Sequence, residues 1–110
     1  MTDKPQTPDL TITHANIHGD QRLTEAAQTI VTAQLGHLVG RLTRLEVHLA
    51  DENAAKGGAD DIRCTIEARP EGMQPQTVIN NDASVDAALR GAAKKVHALL
   101  DHEFGKKGRR

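Results

Sequence analysis

The chain has 110 residues, a formal net charge of −1 and one aromatic side chain, Phe104. This length allows about one domain with one modest core, and so few aromatic residues exclude the base-stacking platforms of RRM and OB folds. No segment approaches the roughly 20 apolar residues of a membrane-spanning helix, and the lone Cys64 has no partner for an internal disulfide, so we expect a cytoplasmic protein with no membrane partner.

The N-terminal part predicts a tail followed by a short strand. Residues 1–9 are polar and carry two prolines, so we expect a disordered tail. Leu10 and Ile12 then alternate with threonines, a period-2 pattern that predicts a strand. That strand is expected to end near the turn signal at residues 17–20, where Asp20 is a candidate N-cap for the helix that follows.

The first helix is marked by apolar residues at helical spacing. Gln34 interrupts the apolar stripe, so the helix is expected to end near Gly36, with residues 37–40 as a connector. The stripe consists of Leu23, Ala26, Ala27, Ile30 and Val31.

Residues 41–69 contain two alternating segments that predict an antiparallel hairpin. In the first segment, Leu45, Val47 and Leu49 take the buried side. Residues 51–61 must then reverse the chain between the two strands. The wet side of the first strand carries Arg44, Glu46 and His48, while the second strand buries Ile62, Cys64, Ile66 and Ala68 and exposes Arg63, Thr65, Glu67 and Arg69.

The C-terminal part contains a weakly marked strand and the most strongly marked helix. Residues 70–75 predict a loop, residues 77–80 a short strand, and Ser84 or Asp82 a cap for the last helix. The order β-α-β-β-β-α predicts an α+β fold, in which both helices pack on one face of an antiparallel-rich four-stranded sheet. The apolar stripe of the last helix is formed by Val85, Ala88, Leu89, Ala92, Val96, Leu99 and Leu100.

Positive charge is concentrated towards the C-terminus. From residue 87 onward, seven basic residues face two acidic ones, a local balance of +5 that favours a polyanion partner. Arg90, Lys94 and His97 line one flank of the last helix, and Lys95 lies on the other. Such a ridge suits the phosphates of a structured RNA, which is recognised largely by shape and backbone contacts. The alternative is that these lysines serve solubility alone.

Two other groups of hairpin residues have a chemical alternative. His48, Asp51 and Glu52 resemble part of a metal site, but no second His or Cys completes a recognised spacing. Glu46 and Glu67 are expected on adjacent strands, where an acid and a base could act, yet the chain shows no apolar pocket for them. We therefore expect no enzyme, metal, cofactor or small-molecule substrate. Instead, we expect cross-strand pairing of the two carboxylates with Arg63, Arg69 or Arg44.

Four segments carry a resemblance to a known family. They are RLTRLEVHLADEN at 41–53, Lys56-Gly57-Gly58, RCTIEAR at 63–69 and VDAALRGAAKKV at 85–96. Together they resemble the ribosome hibernation-promoting factor and ribosome-associated inhibitor family, also called sigma modulation proteins, in its short form without a C-terminal dimerisation domain. The resemblance spans about residues 10–100.

The resemblance implies a fold like that of double-stranded-RNA-binding domains. From the sequence we expect residues 10–104 to form this single domain and residues 105–110 to form a basic tail. It implies a partner, the small ribosomal subunit, whose rRNA the protein would bind in the channel of mRNA and tRNA. Occupying that channel would block translation. Independently of the resemblance, we expect the free protein to be a monomer. The matched RNA-binding residues are Arg90, Lys94 and Lys95 of the last helix and Lys56 of the hairpin loop, with Arg22, Arg41 and Arg44 as further candidates.

A second function class follows from the wet side of the hairpin. Its mixed charges suit a protein partner, which would make the chain a small protein-interaction module. Co-sedimentation with small ribosomal subunits distinguishes the two classes. The surface in question carries Arg44, Glu46, His48, Arg63, Glu67 and Arg69.

Overall fold

A computed structural model describes residues 8–15, 17, 19, 21–52 and 61–108 of the chain. The order of its elements is the predicted β-α-β-β-β-α, so the α+β fold class is confirmed. A 3₁₀ helix occupies Gly36–Arg41, where the sequence predicted a connector. The other elements are β1 (Asp9–Ala15), α1 (Gln21–Leu35), β2 (Leu42–Asp51), β3 (Ile62–Pro70), β4 (Gln76–Asp82) and α2 (Val85–Gly108).

The four strands form one sheet in the order β1-β2-β3-β4. The pairings of β2 with β3 and of β3 with β4 are antiparallel, as the hairpin pattern predicted. β1 runs parallel to β2, with Ile12 opposite Val47. A parallel pair needs a crossover connection, and α1 with the 3₁₀ helix supplies it. The sheet is therefore mixed and antiparallel-rich.

The core lies between one face of the sheet and the two helices. The residues that alternate on the predicted buried sides of β2 and β3 are all buried. α2 packs on β3 and β4, and α1 contacts both β1 and α2. Full burial of a Leu or Ile side chain contributes about 1.5–3 kcal/mol. The fully buried members with the largest side chains include Leu35, Leu42, Leu45, Leu49, Ile66, Leu89 and Leu100.

α1 ends where the sequence predicted, at the residue before Gly36. Gly36 has a φ of +57°, in the left-handed region that glycine adopts without a steric penalty. The chain then turns through the 3₁₀ helix, which buries Leu38 against the core. The proposed cap Asp20 lies outside the described residues.

α2 begins after a side-chain cap. The Ser84 hydroxyl accepts a hydrogen bond from the Ala87 N–H at 3.1 Å, so Ser84 is the capping residue of the two candidates. The Asp82 carboxylate instead accepts from the Ala83 N–H at 2.8 Å. α2 continues to Gly108, so residues 105–108 are helical where a basic tail was expected. At the other end, β1 starts at Asp9, the last residue of the expected N-terminal tail.

Candidate nucleic-acid interface

Arg90 is an exposed basic residue near the start of α2, and it is already paired. Its guanidinium donates a hydrogen bond to the Asp86 carboxylate one turn earlier, at 2.8 Å. This hydrogen bond, with the charge attraction behind it, raises the pKa of Arg90 above its ordinary value. An exposed pair at this spacing stabilises a helix only weakly, because solvent screens the two charges. A phosphate can therefore compete for Arg90 at little cost.

Lys94 and Lys95 are neighbours in sequence but differ in their surroundings. Lys94 is exposed, and within the described part of the chain its amine has no hydrogen-bond or ion-pair partner. The Lys95 amine donates to the backbone carbonyl of Ile79 in β4, at 2.9 Å. No sequence pattern could reveal this acceptor, because it is a main-chain oxygen on a distant strand. Lys94 is the better placed of the two for an external anion.

Acidic residues bracket the flank of α2 that carries Arg90 and Lys94. Asp86 lies one turn before Arg90, and Asp101 lies two turns beyond Lys94 on the same side of the helix. His97, also on this flank, is half-buried. The positive ridge predicted from the sequence is thus confined to the middle of the helix and centred on Lys94.

The remaining candidates lie on other parts of the fold. Arg22 is exposed in the first turn of α1. The guanidinium of Arg41, at the end of the 3₁₀ helix, lies over the Phe104 ring. Arg44 projects from β2 on the sheet face opposite the helices. Lys56 lies outside the described residues. The structure therefore groups Arg90 and Lys94 on one flank but does not bring Arg44 to the same face.

The face of the sheet that the helices leave uncovered, here called the open face, has an arrangement of charges that differs from the prediction. The strand register places Glu46 opposite Glu67 and Arg44 opposite Arg69. Each carboxylate therefore pairs along its own strand: Arg44 with Glu46 at 2.6 Å and Arg69 with Glu67 at 3.7 Å. The expected cross-strand pairing was wrong, because like charges occupy directly opposite positions. The two arginines were nevertheless among the partners named from the sequence.

The rest of the open face is shallow. Arg63 pairs with Glu52 at 2.9 Å. The Thr13 hydroxyl lies 2.6 Å from Nδ1 of His48, and this hydrogen bond ties β1 to β2. A depression of about 240 Å³, lined mainly by threonines with Glu46 and Glu67, occupies the centre. Among the described residues, no three His, Cys, Asp or Glu side chains are grouped so as to hold a metal ion.

Cys64 is buried in β3 on the core side of the sheet. Burial raises the pKa of its thiol to about 12, because the thiolate would lose its hydration. At neutral pH this thiol is fully protonated and behaves as a small core side chain. Within the described ranges, neither helix combines the length and the apolar character that crossing a bilayer requires.

The fold defines the class of protein: an α+β domain with a four-stranded mixed sheet covered on one face by two helices. No protein-family model matches the sequence, and no curated protein does. Among solved structures, the chain resembles a ribosomal subunit interface protein from Coxiella burnetii, with a TM-score of 0.73 and 6% identity over 88% of this chain and 98% of that one. It also resembles the Thermus thermophilus Protein Y N-terminal domain, with a TM-score of 0.66 and 15% identity over 87% of this chain and 98% of that one.

These likenesses cover nearly the whole of each neighbour at low sequence identity. What they establish is a shared fold. The resemblance that the hairpin and the last helix carry in the sequence is therefore confirmed at the level of the fold.

Proposed function

We propose that this protein is a ribosome-associated translation inhibitor, which binds small-subunit rRNA in the channel of mRNA and tRNA and acts by occupancy. The observation that carries the proposal is the fold shared with a ribosomal subunit interface protein, over 88% of this chain. The sequence resemblance to hibernation factors points to the same role. Such a protein needs a surface for rRNA and no reactive group.

The middle of α2 is the proposed rRNA contact. The Lys94 amine has no partner among the described residues. Arg90 forms an ion pair with Asp86, and this pair is exposed to solvent. Both side chains project away from the core, so contact with phosphates requires no change in packing. Helical cations spaced by four residues can follow a phosphate backbone, whose contacts position a protein without reading sequence.

The second candidate function is a protein-interaction module that uses the open sheet face. Its support is the mixed charge of that face, which suits a protein surface more than a polyanion. Within the described residues, however, its charges already pair with one another, as in Arg44–Glu46 and Arg69–Glu67. The availability of Lys94 favours the rRNA proposal over this one.

The test is co-sedimentation with purified small ribosomal subunits at low salt. The α2 variant carries Arg90→Glu and Lys94→Glu and leaves Lys95 in place, because the Lys95 amine contacts Ile79. The matched control carries Arg63→Glu and Arg69→Glu on the open face, with the same change in net charge. Circular dichroism establishes that each variant is folded.

The rRNA proposal expects the α2 variant to leave the ribosomal pellet and the control to remain in it. Binding that survives in the α2 variant and is lost in the control would assign the contact to the open face. A wild-type protein that never pellets with the subunits would rule out the ribosomal role.

A further inference from the structure

β4 is an edge strand of the sheet, since β3 is its neighbour on one side and the strand order ends with it. In an antiparallel ladder, alternate residues direct both their N–H and C=O groups towards the partner or away from it. The Ile79 carbonyl accepts from Lys95 of α2, so Ile79 belongs to the outward set. Thr77 and Asn81, two residues away on either side, face outward for the same reason.

Apart from its last residue, Asp82, the sequence of β4 lacks the features that usually protect an edge strand. Residues 76–81 contain no charged side chain and no proline, and their pairing with β3 shows no bulge. Ile79, at the centre of the strand, is 50% exposed and is the single large apolar side chain exposed among the described residues. An edge of this kind is a template for pairing with another strand.

Protection comes from another element. Lys95 extends from α2 and occupies the outward carbonyl at the midpoint of β4, with Nζ 2.9 Å from the Ile79 oxygen. A lysine on the edge strand itself is a common means of blocking strand addition. Here the lysine belongs to the covering helix. Because the contact is exposed to solvent, it can be broken without unfolding the domain.

We propose that the outer edge of β4 is a pairing surface for a second copy of this chain, and that Lys95 closes this surface in the monomer. The strand is self-complementary about Ile79. Antiparallel pairing on a two-fold axis there sets Ile79 against its own copy and Thr77 against Asn81, an apolar pair flanked by Thr–Asn pairs. In the monomer the Asn81 side-chain amide donates to the Glu52 and Asp61 carboxylates, both at 3.2 Å. No like charges face each other within residues 76–81. The proposal goes beyond the ribosomal role and does not depend on it.

The first test compares two substitutions of adjacent lysines. Lys95→Met keeps an unbranched apolar stem and removes the donor that occupies the Ile79 carbonyl. Lys94→Met removes the same charge from the same helix turn and serves as the control. Sedimentation velocity from low to high micromolar protein is expected to show Lys95→Met approaching twice the monomer mass, while wild type and Lys94→Met stay monomeric.

A Lys95→Met variant that stays monomeric over this range would overturn the proposal, and so would a wild-type dimer or a Lys94→Met dimer. Assemblies larger than two copies would also overturn it, because a two-fold pairing of edges closes on itself.

The second test locates the interface. Adding Ile79→Lys to Lys95→Met places two ammonium groups against each other across the two-fold axis, and the monomer is expected to return. Hydrogen exchange provides an independent readout, because the outward N–H groups of Thr77, Ile79 and Asn81 gain protection only if β4 pairs. A dimer that persists in the double variant, or that leaves these amides unprotected, would place the interface elsewhere and overturn the proposal.

Discussion

Arg41 lies over the ring of Phe104, with its guanidinium carbon 3.6 Å from the ring centroid. The contact joins the end of the 3₁₀ helix to the last turns of α2, and Phe104 is only 8% exposed. The Arg41 carbonyl also accepts a hydrogen bond from the Glu71 N–H at 3.0 Å. The sequence offered Arg41 as a candidate RNA contact, whereas the structure gives its guanidinium a partner inside the fold.

The Arg41–Phe104 contact is expected to stabilise the fold as a cation–π pair. Arg41→Gln and Phe104→Leu should each lower the free energy of unfolding, and the double variant should lose less than the sum. The difference, the coupling energy, is expected to be about 0.5–1 kcal/mol. Urea unfolding of the four proteins measures it. Additive losses would mean that the stacked geometry contributes nothing beyond packing.

Substituting alanine for each of two glycines of α2 is expected to give different results. A Cβ on Gly105 meets nothing within 4 Å, so Gly105→Ala should raise the free energy of unfolding by up to about 1 kcal/mol through helix propensity. A Cβ on Gly91 would lie 2.8 Å from Cγ of Asn80 and nearer still to its Nδ2 atom. That amide donates to the Ala88 carbonyl at 3.2 Å. Gly91→Ala must therefore displace a bonded side chain, and we expect no gain.

An Asn80→Ala background tests this explanation. Without the Asn80 amide, Gly91→Ala should recover the stabilisation seen for Gly105→Ala in urea unfolding. A Gly91→Ala protein that is already more stable than wild type would show that the contact of α2 with β4 adjusts freely.

The positions of Arg44 and Glu46 on β2 are expected to lower the stability of the fold, because each faces a like charge on β3. Exchanging Arg44 and Glu46, as Arg44→Glu with Glu46→Arg, would set each new charge opposite an unlike charge on Glu67 or Arg69 and leave the composition unchanged. Each favourable cross-strand pair contributes about 0.2–1 kcal/mol. The exchanged protein should unfold at higher urea concentration, with a difference that shrinks as salt is added. An unchanged midpoint at low salt would show that the same-strand pairs compensate fully.

Cys64 predicts a pH dependence of stability at alkaline pH. Burial raises the pKa of the folded thiol from its ordinary value of 9.0 to about 12, and the unfolded thiol keeps the ordinary value. Above that value the unfolded chain binds fewer protons, so stability falls as pH rises, by up to about 1.4 kcal/mol per pH unit. Below that pH the thiol is protonated in both states, so it does not contribute to the pH dependence of stability. Urea unfolding at about pH 9 and about pH 10 should show the steeper loss in wild type than in Cys64→Ala. Parallel profiles would contradict the assigned burial.

The proposed rRNA contact predicts a change in salt dependence. Lys94→Gln should weaken binding to small subunits at low salt and flatten the log–log dependence of affinity on salt by about one unit, because one fewer counterion is released. Arg63→Gln, on the open face, removes the same charge and should leave the slope unchanged. Equal slopes for wild type and Lys94→Gln would exclude a phosphate contact at Lys94.

The amino-acid pattern alone determined the elements and the sides that they bury. Alternation along β2 and β3 predicted which side chains are buried, and the 3.6-residue stripe of α2 predicted its inner face. Such patterns are local, since residues on one side of a strand recur at every second position and residues on one face of a helix at every third or fourth. The family resemblance extended these elements to a fold, which the structural neighbours confirm. The RNA-binding residues stay a prediction.

The tertiary structure decided which side chains meet. The register set Glu46 opposite Glu67, the docking of α2 brought Lys95 to the Ile79 carbonyl, and the 3₁₀ helix carried Arg41 to Phe104. Each of these contacts joins residues far apart in sequence. In the Lys95–Ile79 contact the acceptor is a backbone oxygen, which the identity of the side chain does not reveal. A local pattern specifies which way a residue points, but only the packing of helices on the sheet specifies what it reaches.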